Sequence, residues 1–201
     1  DFICIIFGKM MVSKLQRSDA DIRIAVDAWC DNPVKATIKY GHISEWNTSL
    51  VTNMKKLFQD KKKFNDDISK WNVKNVTDMS DMFSIMFRST GSFTGNISGW
   101  NVSSVTNMDS MFRYSSFDGD ISGWNVSSVT NMESMFMITP FNGDISRWNV
   151  SSLPTWIPCS DIHPLMRISL DGMSAVLPTW NACSEYVLLL KNTSLKVRCI
   201  I

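Results

Sequence analysis

The sequence predicts an α/β repeat solenoid in which each coil of about 24–25 residues combines a short extended segment with a short helix. Three observations predict it. Tryptophan recurs at Trp46, Trp71, Trp100, Trp124 and Trp148, at spacings of 25, 29, 24 and 24 residues, each time in an I-S-x-W-N frame. An eight-residue phrase follows each of the first four: VTNMKKLF from Val51, VTDMSDMF from Val76, VTNMDSMF from Val105 and VTNMESMF from Val129. A third phrase joins copy to copy: FNDDI from Phe64, FTGNI from Phe93, FDGDI from Phe117 and FNGDI from Phe141.

In chain order, residues 1–17 carry no assignable element. Their apolar run FICIIF is far shorter than the roughly 20 residues a bilayer span requires, and its lysines follow the run instead of preceding it. It is a poor signal peptide as it stands, with a truncated remnant of one left open. Residues 18–41 form an N-terminal capping region. Ser18 is the expected N-cap, Ile22, Val26 and Trp29 give an i, i+4, i+7 apolar face, and Asn32-Pro33 breaks the pattern. A capping helix over 18–40 is expected to close the stack with that face.

Residues 42–152 hold four full copies and the start of a fifth. Within the third copy Val105, Met108, Met111 and Phe112 keep helical spacing. Thr106 stands three residues before Asp109, as Thr130 does before Glu133, the pattern of a capping box. This spacing predicts a helix of two or three turns in each copy. Phe117, Gly119 and Asp120 ahead of Ile121 predict a turn feeding an extended piece that points Ile121 and Trp124 inward. One coil cannot bury its own tryptophan, so neighbouring coils must supply the cover. The expected core columns are Trp46, Trp71, Trp100, Trp124 and Trp148, then Met54, Met79, Met108 and Met132, then Phe58, Phe83, Phe112 and Phe136. Residues 84–92 of the longer second copy read as an insertion on the surface.

The segments AVDAWCDNPVKATIKYGHISEW and FNGDISRWNVSSVTNM carry a resemblance. The chain resembles the BspA-like leucine-rich-repeat surface proteins, in the branch catalogued as a mycoplasma-type repeat domain of unknown function. The match runs from about residue 19 to residue 152, two thirds of the chain. The resemblance implies a leucine-rich-repeat-like fold, a cell-surface or extracellular setting, and adhesion or binding of a protein or glycan. It implies no catalytic residue and no cofactor.

Residues 153–201 depart from the frame yet keep its period, since LPTWIPCS at Leu153 returns as LPTWNACS at Leu177, 24 residues on. The codons GTT ACC AAC ATG GAT TCC ATG TTC encode VTNMDSMF; read one base later they give LPTWIPCS. ISLDGMSAV at 168–176 comes in the same way from codons for DISGWNVSSV. The tail thus reads as at least one further copy in a shifted frame, whether by mutation, a gene-model error or programmed slippage; the alternative is an unrelated C-terminal segment. Pro154, Pro158, Pro164 and Pro178 are expected to keep it from continuing the stack. The last in-frame coil would then end in an open edge with a tendency to self-associate.

Composition limits the functions. A net charge of +1 offers no field for nucleic acid, and Lys55, Lys56 and Lys61 to Lys63 read as a solvated face. Cys4, Cys30, Cys159, Cys183 and Cys199 are odd in number and scattered, which supports neither a disulfide framework nor a zinc site. His42 sits at the cap-to-coil junction, where a structural hydrogen bond is expected, and no nucleophile pair accompanies it. The column Asp67, Asn96, Asp120 and Asp144 could ligate calcium, but Asp or Asn in a tight turn more often bonds its own backbone. Sequons at Asn47, Asn75, Asn96, Asn101, Asn125, Asn149 and Asn192 largely restate the W-N-x-S element. What varies is the slot before each tryptophan, Glu45, Lys70, Gly99, Gly123 and Arg147, the candidate interaction face. A purely structural spacer and a non-functional product of a slipped gene remain alternatives to a binding module.

Overall fold

A computed structural model describes residues 14–86, 91–153, 168–170 and 173–175. The N-terminal region contains β1 (Gln16–Ser18), α1 (Ile22–Asp31), α2 (Pro33–Tyr40), a 3-10 turn (Ile43–Glu45) and β2 (Asn47–Leu50). β1 lies parallel to β2, with Gln16 opposite Asn47 and Ser18 opposite Leu50.

The single helix expected over 18–40 is two helices, and Ser18 is not its cap. Ser18 belongs to β1, and its N–H donates to the Asp21 carboxylate at 2.8 Å, which leaves Asp21 at the helix start. Asn32 then takes an extended conformation, φ −152° and ψ 92°, and its side chain accepts the Lys35 N–H at 3.0 Å. With Pro33 contributing no N–H, one helix ends and the next begins at a single residue. Gly41 closes α2 at φ 78°, where a Cβ would stand 2.3 Å from Leu15 Cδ2. Ile22, Val26 and Trp29 are all buried.

The copies hold no helix among the described residues, contrary to the spacing of their apolar side chains. Each eight-residue phrase is a run of tight turns. In the third copy the Met111 N–H donates to the Met108 carbonyl at 3.2 Å and the Ser115 N–H to that of Phe112 at 2.9 Å. The third residues of these turns, Ser110 and Tyr114, have φ of 53° and 57°, as a type II turn requires. This geometry releases alternate N–H groups toward the next copy. Met108, Ser110, Phe112 and Tyr114 donate to the carbonyls of Asn131, Glu133, Met135 and Met137 at 2.8, 2.7, 3.0 and 2.9 Å. Met79, Asp81, Phe83 and Ile85 donate in the same way to Asn107, Asp109, Met111 and Arg113, and Met54, Lys56, Phe58 and Asp60 to Asp78, Ser80, Met82 and Ser84. A helix would have sent those N–H groups four residues back. Here they are satisfied between copies, and the apolar rows are buried against each other.

The core follows from that ladder. Trp46, Trp71, Trp100, Trp124 and Trp148 are buried, as are Met54, Met79 and Met108 and Phe58, Phe83 and Phe112. Met132 and Phe136, in the fourth copy, are only partly buried. Phe58, Phe83, Phe112 and Phe136 stack at centroid distances of 5.4, 5.7 and 6.0 Å. A second file, Phe64, Phe93, Phe117 and Phe141, runs beside it at 5.9, 6.2 and 6.3 Å. In the last three linking phrases the rings crowd the glycine: a Cβ at Gly95, Gly119 or Gly143 would fall 2.8, 2.8 or 2.7 Å from the Phe two residues earlier, whereas the first phrase has Asp66 at that place.

The insertion begins later than its sequence suggested. Ser84 and Ile85 are buried and keep their places in the ladder, and the excursion starts at the exposed Met86, with 87–90 outside the described residues. Within the tail, β3 (Ile168–Leu170) pairs antiparallel with β4 (Met173–Ala175). The rest of 154–201 lies outside the described residues.

The left-handed positions carry a testable cost. Ile138, β-branched, sits at φ 53°, where Asp60 of the first copy sits at 60°. A β-branched residue is a poor occupant of that region, whereas Asn tolerates it. Ile138→Asn should therefore raise stability by about 1 kcal/mol, read from urea denaturation.

Candidate interaction face

Each slot residue is the third of a four-residue turn. The tryptophan N–H closes it onto the isoleucine carbonyl: Trp46 to Ile43 at 3.3 Å, Trp71 to Ile68, Trp100 to Ile97 and Trp124 to Ile121 at 3.1 Å, and Trp148 to Ile145 at 3.0 Å. The indole fixes the turn from beneath. Its Nε1–H reaches back to the preceding copy, from Trp71 to the Ile43 carbonyl at 2.9 Å, Trp100 to Ile68 at 3.2 Å, and Trp124 to Ile97 and Trp148 to Ile121 at 3.1 Å. Trp46, with no copy before it, donates to Gly41. Turn and indole together leave Glu45, Lys70, Gly99, Gly123 and Arg147 all exposed. No atom lies within 4 Å of a Cβ built on Gly99 or Gly123, so these two slots are open on every side.

The polar residues around the slots are engaged within the fold. Asp67, Asn96, Asp120 and Asp144 each accept the N–H of the serine two residues on, at 2.9, 3.1, 2.9 and 3.0 Å. This is the Asx-turn arrangement. The Ser69 hydroxyl and N–H hold the Asp67 carboxyl below the usual carboxylate range, and the Ser122 N–H does the same for Asp120. The sequon residues Asn47, Asn101, Asn125 and Asn149, with Asn72 in the same column, form a second such file: in chain order they accept the N–H groups of Ser49, Ser103, Ser127 and Ser151, and Asn72 that of Lys74. A third file escaped the sequence reading: Asn53, Asp78, Asn107 and Asn131 accept the N–H groups of Lys55, Ser80, Asp109 and Glu133. Its signal was an Asn or Asp in all four phrases, which the capping-box reading of Thr106 with Asp109 displaced. Among the described residues no three His, Cys, Asp or Glu side chains gather as metal ligands would.

At the N-terminal side α1 lies over the first copy. Arg23 donates to the Lys55 carbonyl and to Asn53 Oδ1, Lys61 pairs with Asp27 at 2.7 Å, and the Trp29 indole donates to Asp66 at 2.9 Å. Arg17 is buried against the Tyr40 and Trp46 rings and bonds Asp21. His42 Nδ1 meets the Ser44 hydroxyl at 2.8 Å, with its ring edge-on to Trp29. Burial pushes the Cys30 thiol up to about 11, which makes it a poor nucleophile. Cys4, Cys159, Cys183, Cys199, His163 and Asn192 lie outside the described residues. No helix among the described residues is long and apolar enough to cross a membrane.

Asp19 ties the cap to the first copy, and it titrates. Burial alone would raise its pKa, but the Thr52 hydroxyl and the N–H groups of Thr52 and Asn53 outweigh it and hold the carboxyl below its ordinary value of 3.8. A depressed carboxyl stabilises the fold above its unfolded pKa and loses that contribution as pH falls through the folded one. The melting midpoint should therefore drop as pH falls below about 4, and less so in Asp19→Asn. Asp67 and Asp120 add contributions of the same sign that this variant leaves in place.

Neither a curated protein nor a solved structure matches the chain. A family model described as a Mycoplasma protein of unknown function, DUF285, matches residues 35–85 and again 84–156, most of the second helix of the cap together with all the in-frame copies. Two adjoining matches to one model fill well over half of the sequence, and the chain belongs to this Mycoplasma family, DUF285.

Proposed function

We propose that this chain is a non-enzymatic binding module, a BspA-like solenoid of leucine-rich-repeat type that engages a protein or glycan at a cell surface. The observation that carries the reading is the row of five outward positions, Glu45, Lys70, Gly99, Gly123 and Arg147, varied on an otherwise uniform and tightly anchored frame. A frame of this kind separates duties: buried columns keep the repeats in register while the slots change freely. The surface setting and adhesive role come from the likeness of the W-N-V-S-S-V-T-N-M frame to that family.

A second reading, a spacer whose length alone matters, is favoured by the two slots that hold glycine and by the internal use of the Asx side chains. One triple variant separates the two. Glu45→Ala, Lys70→Ala and Arg147→Ala together should leave stability within about 0.5 kcal/mol of the parent, because all three side chains are exposed. On the binding reading, retention on a cell-surface panel falls at least tenfold; unchanged retention supports the spacer.

A further inference from the structure

We propose that the C-terminal edge of the fourth copy is a docking site for one further copy of the same 24-residue repeat, supplied in trans by a segment whose own leading edge is uncovered. The inference goes beyond the slot reading and does not depend on it.

Every junction between copies has one direction. The earlier copy gives four N–H groups to carbonyls of the later copy, as from Met108, Ser110, Phe112 and Tyr114. The later copy returns a threonine N–H and an indole N–H: Thr77, Thr106 and Thr130 each donate at 2.8 Å to the carbonyl of the threonine before, Thr52, Thr77 and Thr106. The indoles reach the carbonyls of Ile43, Ile68, Ile97 and Ile121. A trailing edge therefore presents a fixed pattern of four N–H donors in a row with a threonine and an isoleucine carbonyl beside them.

On the fourth copy that pattern has no match among the described residues. The N–H groups of Met132, Ser134, Phe136 and Ile138 have no acceptor there, and the Thr130 carbonyl accepts no N–H. The Ile145 carbonyl receives the Trp148 N–H but no indole. The side chains match this account. Met132 and Phe136 are partly exposed where Met108 and Phe112 are fully buried, and the file of phenylalanine rings stops at Phe136. Buried or half-buried donors left without acceptors favour any partner that supplies carbonyls at the right spacing.

A second copy of the whole chain is a poor occupant, which revises the expected self-association. Two trailing edges face to face would set N–H rows against N–H rows. The leading edge of this chain is covered by the cap, with Arg23 on the Lys55 carbonyl and Asp19 on the N–H groups of Thr52 and Asn53. A repeat without such a cap fits. In the sequence the tail carries such a repeat only in shifted phase, since LPTWIPCS follows WNVSS where the other copies have VTNM-type residues.

The test uses the full chain and a synthetic peptide of residues 129–152, VTNMESMFMITPFNGDISRWNVSS, labelled for fluorescence anisotropy. The expected result is saturable one-to-one binding, a higher melting midpoint, and new hydrogen-exchange protection at Met132, Ser134, Phe136 and Ile138. Trp148→Ala in the peptide should weaken binding at least tenfold, because the Ile145 carbonyl then loses its donor. The proposal is overturned by no binding, by equal affinity for a scrambled peptide, by protection appearing elsewhere, or by a chain that sediments as an oligomer with those four amides already protected.

Discussion

Phe112→Ala is expected to lower the stability of the chain by about 3–5 kcal/mol, and Phe136→Ala by less than half as much. Phe112 is fully buried and stacks on three rings from three copies: Phe83 at 5.7 Å, Phe117 at 4.1 Å and Phe136 at 6.0 Å. Its backbone N–H also belongs to the ladder, donating to Met135 at 3.0 Å. Truncation therefore opens a cavity that faces both neighbours, and turn-built backbone with few local bonds relaxes poorly around it. Phe136 meets Phe112, Phe141 and Trp148, and among the described residues no ring lies beyond its far side. Urea denaturation of both variants reads the difference. Equal costs would mean that the copies do not depend on their neighbours for cover.

Removing the lid at the other end should cost a similar amount with a different signature. Trp29 is 3% exposed, lies edge-on to Trp46 at 6.2 Å, and donates its indole N–H to Asp66. Trp29→Ala should lose about 3–5 kcal/mol and uncover the apolar side of the first copy, so that light scattering rises at concentrations where the parent stays clear. Trp29→Phe keeps most of the packing and gives up the hydrogen bond alone. Because Asp66 is exposed and water can replace the indole, that variant should lose only about 1 kcal/mol, with no change in scattering. Equal scattering from both variants would place the effect in the Asp66 bond instead of in the cover.

The tryptophan, phenylalanine and methionine columns were legible because burial repeats with the sequence, and period alone identifies them. The conformation of the eight-residue phrase was not. Val105, Met108, Met111 and Phe112 have helical spacing, and Thr106 with Asp109 mimics a cap, but helical rules count only local hydrogen bonds. The partners that win are 23 residues away, as in Met108 to Asn131, and nothing within one copy announces them. The same blindness hid the left-handed residues, since Lys56, Asp81, Ser110 and Ser134 share a φ near 50–60° without sharing a side chain. In the cap, Ile22, Val26 and Trp29 were readable from spacing and the break from Asn32-Pro33, whereas the second helix that restarts at Pro33 needed the proline and its neighbour to be weighed as two helix ends. Of the slot residues, the outward direction could be inferred from their place between an inward isoleucine, buried in all copies but the last, and a buried tryptophan; the indole that holds each turn could not.

The uniform junction has a genetic corollary. Because each copy asks the same of whichever copy follows it, a gene can gain or shed whole units of 72 bases, as 24 codons require, without any other residue having to change. Loss of one base spares nothing downstream. A lineage carrying such a chain would tolerate the largest recombination events far better than the smallest replication errors.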